Sequence, residues 1–130
     1  MTSRLTEISV DARDPRRLAE FWAAVLGYRI LDEDGDTLVE IGSWEPTAEA
    51  YRAGPQPPTI VFAQVPEGKT VKNRVHLDVS PIDSDRDAEV DRLIALGARR
   101  VDVGQGEQSW VVLADPEGNE FCVLRSLAAT

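Results

Sequence analysis

The 130-residue chain has one cysteine, Cys122, one histidine, His76, and one methionine. A lone thiol closes no internal disulfide, so nothing in the sequence points to an oxidising compartment. No apolar run is long enough to span a bilayer, and Met1-Thr2-Ser3-Arg4-Leu5 lacks the apolar core of a secretory signal. A cytoplasmic location is therefore expected. Basic residues are also in deficit, with 14 Lys and Arg against 23 Asp and Glu, a formal net charge of −9. The deficit is even: residues 1–72 carry 8 basic and 12 acidic side chains, and residues 73–130 carry 6 and 11. With no basic stripe, repulsion from phosphate argues against nucleic acid or an anionic membrane as partner. What is present is ordinary for one globular domain, 42% hydrophobic and 28% charged residues. A chain of this length buries enough surface to fold without disulfide or metal staples.

The pattern worth following is a repeat. In Asn73-Arg-Val-His-Leu-Asp-Val79 the residues alternate, Val75, Leu77 and Val79 against Arg74, His76 and Asp78. That is the period of a half-buried strand with an imidazole and a carboxylate on its polar face. The bland reading of a lone histidine is a hydrogen-bonded structural residue. An earlier copy runs from Leu5 to Asp11, and Glu7-Ile8-Ser9-Val10 aligns with His76-Leu77-Asp78-Val79 at an offset of 69 residues. Leu26-Gly27-Tyr28 then falls against Leu96-Gly97-Ala98 at an offset of 70. Two copies are too few for a solenoid, and a duplicated module that closes on itself fits better. The expected layout is one domain over residues 1–130: a first module of about 1–65, a connector over 65–72 and a second module of about 73–130.

Taken in order, Asp14 caps a helix with Pro15 at its first position, where the missing N–H costs nothing. Leu18, Phe21, Trp22, Val25 and Leu26 give it an apolar stripe, and Gly27 stops it. Tyr28–Asp32 and Thr37–Gly42 read as strands joined at Glu33-Asp34-Gly35-Asp36. Ser43–Pro58 holds four prolines and reads as a long loop, with a short helix within Glu45–Ala53 and with Trp44 and Tyr51 suited to a lid. Thr59–Gln64 is a strand. In the second module a helix over Ser84–Leu96 turns Val90, Leu93, Ile94 and Gly97 inward. Strands follow at Arg99–Val103, Ser109–Ala114 and Glu120–Arg125, with turns at Gly104-Gln105-Gly106 and Asp115-Pro116-Glu117-Gly118-Asn119. Each half thus reads βαβββ, an α+β class.

Paired βαβββ modules, the Phe21-Trp22 pair, the Leu26-Gly27-Tyr28 helix end, Val75-His76-Leu77-Asp78-Val79 and the Asp115–Asn119 turn leading into Glu120-Phe121-Cys122 resemble the glyoxalase/bleomycin-resistance/dioxygenase group, the vicinal oxygen chelate superfamily. The resemblance covers nearly the whole chain. It implies two modules pairing into curved mixed sheets around an open cup, and a homodimer. In the metal-dependent members four ligands line the cup, and the matching positions are Glu7, Gln64, His76 and Cys122. Cys122 departs from the usual glutamate, with Glu120 two residues early. A thiolate beside hard oxygens suits Mn²⁺, Mg²⁺ or Fe²⁺ poorly and Zn²⁺ better. A divalent metal is thus compatible with part of the set, and no metal ligand is assigned.

Three functions stay open on these residues, with a purely structural module as the residual. The first is a small-molecule binding protein whose cup is lined by Glu7, Gln64, His76, Asp78, Trp110, Cys122 and Phe62 and covered by the Trp44 loop. A negative cup then favours a cationic ligand. The second is a metal-dependent lyase, isomerase or dioxygenase. The third is a metal-free enzyme with His76 as general base, oriented by Glu7 or Asp78. One fold hosts all three, so the site must decide.

Overall fold

The computed structural model describes residues 2–101 and 110–129. The expected turn at Gly104-Gln105-Gly106 and the expected strand residues Asp102, Val103 and Ser109 lie outside the described residues. The chain forms two compact units, Met1–Gly68 and Lys69–Thr130. Each is built on a four-stranded mixed sheet.

In the first unit, β1 (Glu7–Ala12) leads into α1 (Pro15–Leu26), followed by β2 (Arg29–Asp34), β3 (Leu38–Gly42), α2 (Ala48–Ala53) and β4 (Thr59–Gln64). The helix begins as its sequence requires. The Asp14 side chain accepts the Arg17 N–H at 3.2 Å, with Pro15 in the first turn. It ends at Gly27, whose φ of +67° is a left-handed value that glycine adopts without steric penalty, and the Tyr28 amide closes onto the Ala23 carbonyl at 3.0 Å. Leu18, Phe21, Trp22 and Val25 are buried along one helix face. The helix packs on β3 and β4, whose Val39, Ile41, Ile60 and Phe62 are at most 5% exposed. Phe21 and Trp22 meet edge to face at 5.4 Å.

The sheet order is β1-β4-β3-β2, with β1 parallel to β4 and the other pairings antiparallel. The β2–β3 turn begins two residues later than expected and ends one later, over Gly35-Asp36-Thr37, because the pairing extends to Asp34 opposite Leu38. Arg16 fastens this hairpin to the helix by ion pairs to Glu33 and Asp36.

The second unit repeats the plan: β5 (Asp78–Val79), α3 (Arg86–Leu96), β6 (Arg99–Arg100), β7 (Val111–Ala114) and β8 (Glu120–Val123), in the order β5-β8-β7-β6. Again the first and last strands are parallel and the other pairs antiparallel. The α+β class with two mixed sheets agrees with the sequence reading. The second copy is slighter than expected. The strand expected from Asn73 is confined to Asp78–Val79, and Val75, placed on an inner face by its alternation, is 77% exposed. Only Val90 and Leu93 of α3 are buried, against six residues of α1. Ile94 is 39% exposed, since it lies about 100° around the helix from Leu93.

The Asp115–Asn119 turn forms as read, around a carboxylate that is 2% exposed. Asp115 Oδ1 accepts the N–H groups of Glu117 and Asn119, both at 3.0 Å, and Asn119 Nδ2 donates to both carboxylate oxygens. Gly118 supplies the positive φ, +91°. The turn aims β8 back along β7 and so sets which of its side chains face outward.

Candidate ligand-binding site

Alternation in β7 and β8 divides the second sheet into two faces. Leu113, Phe121 and Val123, each at most 1% exposed, occupy one face. The other carries Val112, Cys122 and Asp78, adjacent in register. Over this second face lies a cavity of about 840 Å³. Its apolar wall is Trp110, Val112, Leu124 and Leu127, and its polar groups include Lys72, His76, Asp78 and Arg125. Trp110 and Leu127 are 36% and 69% exposed, so apolar surface is available at the rim. Apolar walls with a few convergent polar groups are the composition of a small-molecule site.

His76 stands just before β5, half-buried. Its Nε2 lies 2.9 Å from the Asn73 carbonyl oxygen and 3.0 Å from Lys72 Nζ. These contacts need opposite states of one nitrogen: protonated, it donates to the carbonyl; bare, it accepts from the ammonium. The Asn73 carbonyl is itself held in place, because the Asn73 N–H donates to Glu120 Oε1 at 2.8 Å. Glu120 Oε2 takes the Lys69 ammonium at 2.9 Å, both side chains being less than a fifth exposed. Burial alone opposes ionisation of Glu120, but the Asn73 amide and Lys69 outweigh it and hold the carboxylate below its ordinary range. Both oxygens of Glu120 thus clamp the connector to β8.

Cys122 is 7% exposed. Burial, and then the neighbouring Asp78 carboxylate, push its thiol up from the ordinary value, with Lys72 opposing weakly. The shift disfavours the thiolate, the form that binds metal and attacks electrophiles.

The residues placed in a cup by sequence do not all gather. His76, Asp78, Trp110 and Cys122 share the second-unit cavity. In the first unit, Glu7 pairs with Thr59 whereas Gln64 pairs with Ala12, so Glu7 and Gln64 point to opposite faces of their sheet. Phe62 is fully buried on the α1 side, in the core. The register that sets Asp78 beside Cys122 sets Ser9 beside Val61, so the repeat puts Val61, not Gln64, at the equivalent of Cys122. Trp44 donates from Nε1 to the Pro57 carbonyl at 3.0 Å and meets Tyr51 edge-on at 5.4 Å. Tyr51 in turn donates its hydroxyl to the Thr6 carbonyl at 2.9 Å. Lys72 and Leu127 are cavity residues outside any expected strand, and Arg125, read as the end of the last strand, lies beyond β8, which stops at Val123.

A family model described as a glyoxalase-like domain matches residues 7–124. The chain belongs to the glyoxalase-like domain family. Solved structures of the same fold include a glyoxalase/bleomycin resistance protein/dioxygenase family enzyme from Burkholderia phytofirmans PsJN, 19% identical over 93% of this chain and 97% of that one, TM-score 0.64. A mutant of the fosfomycin resistance protein FosX from Listeria monocytogenes, in complex with Mn(II) and 1S,2S-dihydroxypropylphosphonic acid, is 16% identical over 97% and 92%, TM-score 0.67. TioX from Micromonospora sp. ML1 is 20% identical over 97% and 100%, TM-score 0.54. No curated protein matches.

The divalent metal that such relatives suggest is poorly matched by this glyoxalase-like chain. Glu7 and Gln64 diverge across their sheet, both oxygens of Glu120 are engaged, and burial and Asp78 push the Cys122 thiol up, against the thiolate a metal would need. No cluster of three or more His, Cys, Asp or Glu able to hold a metal occurs among the described residues.

Proposed function

We propose that this glyoxalase-like protein binds a small organic molecule on the open face of its second sheet, without metal chemistry at that face. The observation carrying the reading is the cavity of about 840 Å³ bounded by Trp110, Val112, Leu124 and Leu127, with His76 and Asp78 beside them. Its volume lies in the range of ligand sites, and its wall combines ring surface with a few fixed polar groups. His76 serves as an orienting hydrogen-bond group, since its Nε2 already faces Lys72 and Asn73. A compound screen by thermal shift tests the reading. Hits that stabilise the wild type should lose most of that effect in Trp110→Ala and in Leu127→Arg, both at exposed positions. Stabilisation unchanged in both variants would sink it.

The reading extends to a homodimer. β1 and β5 stand at sheet edges, which a symmetric partner can pair, and the neighbouring Leu5 and Val75 are 65% and 77% exposed. Light scattering should give twice the chain mass of 14.3 kDa; a mass near 14.3 kDa across the micromolar range removes the dimer.

A further inference from the structure

The chain carries a net charge of −9, and the sequence reading gave a negative cup suited to a cationic ligand. The wall of the second-unit cavity has the opposite balance. Among the described residues it holds two cations, Lys72 and Arg125, against one carboxylate, Asp78. The cations are also available. Lys69, three residues from Lys72, is neutralised by Glu120 at 2.9 Å, whereas no described carboxylate forms an ion pair with Lys72 or Arg125. Lys72 instead makes a 3.0 Å contact to an imidazole nitrogen and a longer one, 3.5 Å, to the Asn73 carbonyl. Neither neutralises an ammonium. The one carboxylate of the wall sits beside Cys122 in the β5–β8 register.

We propose, building on the ligand-site reading above, that the cavity selects an organic anion: a carboxylate or phosphonate on a flat apolar body. Lys72 and Arg125 take the anionic oxygens, and the body lies against Trp110 and Val112. A guanidinium offers a planar pair of N–H donors to such a group, and an ammonium adds a point charge. Asp78 works in the same direction by exclusion. A ligand oxygen brought against it is repelled, so the anion is directed to the Lys72 and Arg125 side while the apolar body lies over Cys122. A cationic ligand would have to displace or face two positive side chains to reach one carboxylate. Residues outside the strands thus set the charge selectivity of a pocket whose shape comes from the strands.

Calorimetric titration of the full chain with four related probes tests this: 2-naphthoate, 2-naphthylphosphonate, 2-naphthamide and 2-naphthylmethylammonium. The two anions should bind at least tenfold more tightly than the amide, and the ammonium should not bind detectably. Lys72→Met and Arg125→Met should each weaken anion binding about tenfold and leave the amide unchanged. Both positions are exposed, so a matching melting temperature should show that the variants are folded. An amide or ammonium that binds as well as the anions overturns the charge selectivity and leaves the ligand site standing. Equal loss of amide and anion in both methionine variants also overturns it, since the side chains then act by packing. If none of the four probes binds, both the selectivity and the ligand site itself are rejected.

Discussion

Cys122 and Asp78 sit side by side in the β5–β8 register, and the carboxylate constrains the thiol. Burial and the adjacent carboxylate both disfavour a thiolate. Replacing Asp78 by Asn removes a source of that shift while keeping the side-chain shape. Alkylation of Cys122 by iodoacetamide should therefore be slow at pH 8 in the wild type and severalfold faster in Asp78→Asn, because the thiolate is the reacting form. Equal rates would mean that access alone limits the thiol.

Glu120 gives a second prediction at this scale. Its carboxylate is held below the ordinary range, so the stability it contributes is present above about pH 4.5 and is lost as pH falls through its native value. Glu120→Gln should cost about 1–3 kcal/mol at pH 7, mostly from leaving Lys69 poorly paired in a site that is 17% exposed. In urea melts the gap between the two proteins should shrink towards pH 3; a gap independent of pH would contradict the clamp. At this scale the sequence was partly legible. His76, Asp78, Trp110 and Cys122 stood out as rare or alternating residues. Lys72 did not, because a charge outside strands carries no period, and Arg125 did not, because the strand expected to reach it stops at Val123.

The elements were legible because the chain says the same thing twice. The 69-residue offset fixed two βαβββ modules before any strand boundary was known, and both sheets share one strand order. What the repeat concealed was parity at a strand end. Gln64 was matched to a cup position beside Glu7, yet the β1–β4 register turns its side chain with Ala12, away from Glu7. A shift of one residue moves a side chain to the other face, and sequence offers no check on it. Helix α3 shows the same limit. Its stripe of Val90, Leu93 and Ile94 reads as one face, but Leu93 is fully buried and Ile94 is 39% exposed. Leu93→Ala should cost about 2–5 kcal/mol and Ile94→Ala about 0.5 kcal/mol or less, measured by denaturant unfolding. With only two buried residues anchoring α3, equal costs would place the core of this unit elsewhere.

For the whole molecule the question is how an anion reaches a positive wall on a chain of net charge −9. The two fields act over different ranges. Net charge repels the anion at distance and is screened over about 10 Å at 0.1 M salt, whereas Lys72 and Arg125 act within contact distance. Raising ionic strength should therefore remove a barrier to approach, so the association rate of 2-naphthoate should rise or stay level. The dissociation rate should rise too, because contact ion pairs weaken in salt. Stopped-flow tryptophan fluorescence at about 10 and about 150 mM salt measures both rates, with Trp110 on the cavity wall as the reporter. A steep fall in the association rate with salt would mean that the approaching anion meets a positive field well beyond the cavity. The even spread of acidic residues along the sequence argues against such a field.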